Sequence, residues 1–249
     1  MLKFATPLRI LTLVFTLALG VTAGAHAQTG ELARDAGDVG ALPEGVTPFG
    51  TAPQVSQTTG AIYDNTGSPV LYGFSSTDLS SLWGDQIVAS GTGLLSQARF
   101  TVFNSASSAG TLLTGTVQIQ ILDAITSASL GTFSTNVNFG GLAPGFFSTV
   151  TVSSLDALNI AITTPSLIIL QKLTAWTGTA NRLGFVSQNP PTIGSSPDYF
   201  YASSATVGGG AAGFYTSSSG PANPGYRLYV IDFPVHGRTN TWGRLKSLY

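Results

Sequence analysis

The chain contains no cysteine in its 249 residues. That excludes thiolate nucleophiles, cysteine-ligated zinc, iron–sulfur clusters and disulfide staples. Stability must then come from a hydrophobic core, which a chain of this length is able to build. Histidine is nearly absent, with only His26 near the start and His236 near the end. No Gly-x-Ser-x-Gly elbow occurs, so a Ser-His-Asp hydrolase would have to be assembled around His236 alone. Charge is scarce as well. Only 8% of residues are charged, against about a quarter in a typical soluble domain. With 10 basic residues against 11 acidic ones there is no basic patch to hold a phosphate backbone, and nucleic acid is not an expected partner. No apolar run reaches the about 18 residues of a membrane-spanning helix.

What is present begins with a basic start at Lys3 and Arg9, an apolar run from Ile10 to Leu19, and the small-x-small sequence Ala25-His26-Ala27. This is the pattern of a secretory signal peptide over residues 1–27, with Gln28 as the new terminus. The expected location is secreted or at the cell surface, with no transmembrane span after cleavage. Cleavage removes two basic residues and leaves 8 against 11 acidic, a net charge of −3. Residues 28–59 are rich in Gly, Pro, Thr and Ala and carry Glu31, Asp35, Asp38 and Glu44 against Arg34. This composition predicts a flexible, disordered acidic leader without a core of its own. A second reading makes Asp35-Ala36-Gly37-Asp38 a calcium-binding turn, although the full ladder of calcium ligands is missing.

From Gly60 the pattern becomes one of short strands. Ala98, Phe100 and Val102 alternate with Gln97, Arg99 and Thr101. Val117, Ile119 and Ile121 alternate with Gln118 and Gln120, and Phe133, Val137 and Phe139 leave Asn136 and Asn138 on the opposite face. Period-two alternation of this kind marks half-buried strands. Leu167 to Trp176 is almost continuously apolar or β-forming and is the expected central strand. Asp64-Asn65-Thr66-Gly67 and Gly84-Asp85 read as turns. Only Ser153 to Leu158 suits a single helical turn. About twelve strands with regularly spaced turns predict an all-β fold, an antiparallel β-sandwich whose most economical form is a jelly roll. The domain is expected over residues 60–234, followed by a tail at 235–249. The run Val207-Gly208-Gly209-Gly210-Ala211-Ala212 lacks the lysine and the strand-to-helix context of a phosphate cradle.

Three motifs carry a family resemblance: Tyr63-Asp64-Asn65, Gly84-Asp85-Gln86-Ile87, and Pro190-Pro191-Thr192-Ile193-Gly194-Ser195-Ser196-Pro197-Asp198-Tyr199-Phe200. Over about Gly60 to Phe233 the chain resembles secreted bacterial β-sandwich proteins of the PEP-CTERM-associated type. The C-terminal sorting signal of that type has no counterpart, which favours free secretion or attachment through a partner. The resemblance implies export and a surface or matrix role, with no established activity. Together with the low charge and missing catalytic residues, the expectation is a non-enzymatic structural or adhesive component of the cell surface or extracellular matrix. The alternative is a carbohydrate-binding module, with polysaccharide or other surface proteins as partners. In a strand, Tyr199 and Tyr201 share one face and Phe200 takes the other. Tyr199, Tyr201 and Tyr215 are the candidate ligand-binding residues, with Trp83 or Trp176 as further members, since flat amphipathic rings suit sugar stacking. Asp64 and Asp85, each beside a turn, are the candidate ligands of a structural calcium ion. No other cofactor is expected.

Overall fold

The computed structural model describes residues 31–45, 59–79, 82–202, 212–217 and 219–233. The expected signal peptide, nearly all of the Gly-rich run and the tail with His236 lie outside these residues. Fourteen strands are present among the described residues: β1 (Arg34–Ala41), β2 (Thr59–Asp64), β3 (Val70–Ser76), β4 (Trp83–Val88), β5 (Gly93–Asn104), β6 (Leu112–Asp123), β7 (Ser129–Leu142), β8 (Phe146–Val152), β9 (Ala161–Ile162), β10 (Ser166–Gly178), β11 (Leu183–Gln188), β12 (Tyr199–Ala202), β13 (Gly213–Thr216) and β14 (Tyr226–Ile231). The single helical turn is a 3-10 turn at Leu155–Leu158, within the segment where the sequence allowed one.

The strands form two sheets. One has eight strands along the path β1-β8-β5-β11-β3, with β14, β2 and β9 attached to it. The other has six in the order β13-β12-β4-β10-β6-β7. All pairings are antiparallel except β1 with β8. The expected central strand β10 lies in the interior of the six-stranded sheet, between β4 and β6. One apolar cluster joins the two layers. Ala98, Phe100, Val102, Val150, Val152 and Leu228 come from the eight-stranded sheet, and Val117, Ile119, Ile121, Phe133, Leu167 and Ile169 from the six-stranded one. These are the inward members of the alternating strands, so the fold is the predicted β-sandwich. The jelly-roll connectivity is not established by this strand order.

A polar tie crosses the core where β5 exchanges its neighbour β14 for β11. Gln171 of β10 is buried, and its side-chain amide donates to the Thr101 carbonyl at 2.9 Å. The Thr101 hydroxyl accepts from Val186 N at 3.4 Å. Both bonds serve main-chain groups at the fork in the ladder, which buried backbone cannot leave unpaired without cost.

The described part of the leader, residues 31–45, departs from expectation. It forms a strap along one open edge of the sandwich, not a free chain. β1 runs parallel to β8, from Arg34 opposite Phe146 to Ala41 opposite Val152. The Glu31 carboxylate accepts from Ser105 Oγ at 2.7 and 2.8 Å and from Ala106 N at 2.9 Å. Past β1 the chain crosses to the other layer, where Glu44 N donates to Ser134 O at 2.7 Å and Thr135 Oγ1 donates to Leu42 O at 2.7 Å. The strap therefore touches the edges of both sheets. The physical reason is that β8 has an open side, and unpaired ladder groups recruit a partner strand with little demand on its side chains. Asp35-Ala36-Gly37-Asp38 lies inside β1 at a register shift instead of forming a turn. There Gly37 N donates to Asp35 Oδ1 at 2.8 Å, and Asp38 pairs with Arg99.

Candidate binding face of the six-stranded sheet

Residues 189–198 lead into β12 and stitch the two layers together. Thr192 N and Ile193 N donate to Asp64 O at 2.7 and 3.3 Å, and Asp64 N donates to Ile193 O at 3.1 Å. Two residues later the segment pairs with the other layer. Ser195 N donates to Val88 O at 2.9 Å, and Val88 N donates to Ser195 O at 2.7 Å. Gly194 makes the transfer possible. Its φ is 76°, and a Cβ there would lie 2.5 Å from Val88 O and 2.9 Å from the Tyr63 ring. The three motifs of the family resemblance, which lie 137 positions apart from Tyr63 to Phe200, thus meet at one seam between β2, β4 and this segment.

Beyond the seam, β12 pairs with β4 and β13. Tyr199 and Tyr201 share the outer face as expected, half-buried, while Phe200 points inward. Phe200 lies 5.4 Å from Phe74, 5.9 Å from Trp83, 5.5 Å from Phe185 and 6.2 Å from Tyr215, measured between ring centroids. Tyr215 is therefore a correction. It stands opposite Phe200 in the antiparallel register and belongs to the inner aromatic cluster with Trp83. Phe214, opposite Tyr201, takes the outer position, with its ring edge-on to Tyr199 at 4.9 Å and to Tyr201 at 5.5 Å. A single step of register decides which of two adjacent aromatics faces the solvent side.

The outer patch is firmly built. Ile168 and Leu170 of β10 pack with Phe214, and Leu82, Leu122, Tyr199 and Tyr201 flank them. The Tyr199 hydroxyl donates to Gln86 Oε1 at 2.9 Å. Burial raises the Tyr199 pKa, and the nearby Asp85 charge adds to the rise. Its ring and hydroxyl are thus already engaged within the protein.

A second feature of the same sheet lies at the other end of β10. A groove of about 370 Å³ is lined by Trp176 and Thr177 of β10, Thr114 and Thr116 of β6, and Asn136 and Asn138 of β7. Register brings them together, with Thr114 opposite Asn138 and Thr177, and Thr116 opposite Asn136. The Thr116 hydroxyl donates to Asn136 Oδ1 at 2.6 Å, and the Thr114 and Thr177 hydroxyls are 2.7 Å apart. Trp176 is 40% exposed beside a register shift between Leu173 and Ala175. The alternation of β7 had marked Asn136 and Asn138 as outward, but nothing local in the sequence joins them to Trp176, some 40 residues on.

The candidate calcium ligands sit on different layers with different partners. Asp64 Oδ1 of β2 accepts from Thr66 N and Thr66 Oγ1, each at 2.9 Å, and Asp64 Oδ2 lies 3.2 Å from Arg227 Nε. Asp85 is fully buried, and its two carboxylate oxygens each lie 2.9 Å from Ser196 Oγ. Gly84-Asp85 is strand interior, not the expected turn. A Cβ on Gly84 would lie 2.3 Å from Ile169 O, so the glycine lets β10 come close. On the outside of the eight-stranded sheet, a groove of about 390 Å³ is lined by Asp35, Asp38, Arg99, Thr66 and Thr149 among others. Its two carboxylates serve Gly37 N and Arg99 respectively.

No protein-family model matches this chain, and neither does any curated protein or solved structure.

Proposed function

We propose that the protein is an exported, non-enzymatic adhesive or structural component of the cell surface or extracellular matrix, and that the outer face of the six-stranded sheet holds polysaccharide. The observation that carries this reading is the Trp176 groove. An exposed indole beside a row of threonine and asparagine side chains offers an apolar platform next to neutral donors and acceptors, the combination that sugars satisfy. The groove lining itself is uncharged, and the Glu44 carboxylate at its rim accepts from Asn136 Nδ2 at 3.0 Å, which together favour neutral over acidic glycans. The Tyr199–Tyr201 patch is the secondary candidate, because its rings are occupied with Phe214 and Gln86. Export rests on the signal-like sequence of residues 1–27. Among the described residues no helix is long and apolar enough to cross a membrane. The non-catalytic reading is supported by Asp35, Asp38, Asp64 and Asp85, each of which is engaged with a partner inside the protein. The PEP-CTERM-type resemblance is consistent with such a role.

The test is affinity electrophoresis of the full chain in gels containing soluble glucan, mannan or alginate. Retardation is expected in a neutral polysaccharide, and Trp176→Ala should weaken it about fivefold or more, the effect of losing roughly 1 kcal/mol of aromatic contact. Retardation unchanged by Trp176→Ala would remove the groove from the account. Breakdown of any of the polymers by the purified protein would refute the non-enzymatic reading.

A further inference from the structure

Ser196 Oγ sits 2.9 Å from Asp85 Oδ1, 2.9 Å from Asp85 Oδ2, 3.1 Å from Gln86 O and 3.0 Å from Pro197 O. Four acceptor oxygens surround one hydroxyl, which carries one proton. The main-chain N–H of Gln86 also serves the carboxylate, and Tyr199 N donates to the Pro197 carbonyl at 2.8 Å, but three donors do not supply four acceptors in a fully buried site. No ion pair to Asp85 exists among the described residues, since Arg227 is taken by Asp64 and Arg99 by Asp38. Two more hydroxyls are buried nearby: that of Tyr226 has no hydrogen-bond partner among the described residues, and that of Tyr63 lies beside Ser196. Adding one proton to the carboxyl resolves the count. The acid then donates to Ser196 Oγ, and the Ser196 hydroxyl is free to donate to the Gln86 carbonyl, the Pro197 carbonyl being served by Tyr199 N.

We propose that Asp85 is a proton-held latch: as a neutral carboxylic acid it fastens residues 192–198 to β4, and release of its proton to solvent base unfastens that seam and loosens the Tyr199–Tyr201 face behind it. The link to that face is direct, because the segment ends in β12 and Tyr199 is bonded to Gln86, the residue after Asp85. Of the groups facing the latch, the Ser196 hydroxyl and the Gln86 N–H favour the ionised carboxylate, and burial outweighs them. Burial comes first, raising the Asp85 pKa well above that of an ordinary aspartate, and the charge of Asp198 in the segment itself raises it further. The pKa values of Tyr63 on β2, Tyr226 on β14 and Tyr199 on β12 are displaced upward first by burial, and an ionised Asp85 would displace each of them further. Asp64 acts on Tyr63 in the same sense. The folded-state pKa is raised, so the contribution of the protonated form is complete below the unfolded value of 3.8 and is lost as pH rises through the folded value. This inference is independent of the polysaccharide reading.

The experiment is urea unfolding of the full chain and of Asp85→Asn at a series of pH values from 4 upward. The Asn side chain keeps a donor and an acceptor and does not titrate. The wild-type folding equilibrium, taken as a ratio to that of Asp85→Asn, is expected to fall by up to about tenfold per pH unit until Asp85 ionises in the folded state. A ratio that is flat or rises with pH overturns the proposal. Should Asp85→Asn fail to fold, the carboxyl 13C shift of Asp85 in the wild type decides. A protonated shift persisting above pH 5 is expected, and a carboxylate shift there overturns the latch. Stabilisation by added calcium or sodium that Asp85→Asn lacks would put a cation in the place of the proton and also overturn it.

Discussion

Phe200→Ala and Tyr201→Ala make the most direct test of how β12 is faced. Phe200 is 2% exposed, and its ring meets those of Phe74, Trp83, Phe185 and Tyr215. Those four rings come from β3, β4, β11 and β13, so they are fixed by separate backbones and cannot close readily over a vacated ring. Phe→Ala in a core costs about 3–5 kcal/mol, and poor collapse places this one toward the upper end, about 4–5 kcal/mol. That is a large share of the roughly 5–15 kcal/mol that stabilises a typical native protein. Tyr201 is half-buried and loses one edge contact with Phe214, worth about 0.5–1.5 kcal/mol beyond its lost area. The assay is equilibrium unfolding in urea, followed by tryptophan fluorescence, since Trp83 lies within the affected cluster. The midpoint of Phe200→Ala is expected to move at least twice as far as that of Tyr201→Ala, with the slope unchanged. Equal shifts, or a larger one for Tyr201→Ala, would mean that the strand is faced the other way and would refute both the inner aromatic cluster and the outer tyrosine patch.

Asn65→Ala should be more damaging than its size suggests. The buried Asn65 amide donates to Gln188 O and Pro224 O, each at 3.0 Å, and its Oδ1 accepts from Tyr226 N at 2.7 Å. Leaving these main-chain groups unpaired is expected to cost about 3 kcal/mol or more in urea unfolding, and a loss under about 1 kcal/mol would show that water replaces the side chain. Glu31→Ala should free the start of the strap without unfolding the sandwich. Trypsin cleavage after Arg34 is expected to speed up several-fold while the global midpoint moves by less than about 1.5 kcal/mol, and an unchanged cleavage rate would show that the Glu31 contacts do not hold the strap.

Strand identity was legible because it depends on a local property. Val117, Ile119 and Ile121, or Phe133, Val137 and Phe139, reveal a buried face with no knowledge of the partner strand, and all six are in the core. The nearly continuous apolar run of β10 signalled a central strand, which its position between β4 and β6 bears out, and over Leu167–Gln171 both of its faces are buried. The strap was illegible for the converse reason. Most of β1 is exposed, so selection on burial leaves no alternation in Arg34–Ala41, and its pairing with β8 rests on backbone groups that every sequence carries. Gly84-Asp85 misled because the same dipeptide serves a turn or a strand that another backbone approaches closely. The choice between them lies with Ile169, more than 80 positions away.

The candidate sites were less legible than the fold because they are products of register, which no single strand encodes. Tyr215 and Phe214 are neighbours of similar size. Only the pairing of Phe200 with Tyr215 sends the first inward and the second out to Tyr199 and Tyr201. The Trp176 groove requires β6, β7 and β10 to align within one residue, and a slip of one would turn Thr114, Thr116, Asn136 and Asn138 toward the core. Large inward side chains such as Ile119, Phe133 and Ile169 prevent that slip, since the same shift would expose them. The apolar core thus holds the polar face in place. By the same logic, the seam around Asp85 joins two layers whose own ladders do not require each other, and it needs a separate fastening. Ile193 and Ser195 on either side of Gly194, together with Ser196, supply that fastening through bonds to main-chain groups of Asp64, Val88 and Gln86. This is why the three stretches of sequence that stood out individually, around positions 64, 85 and 194, turn out to be parts of one junction.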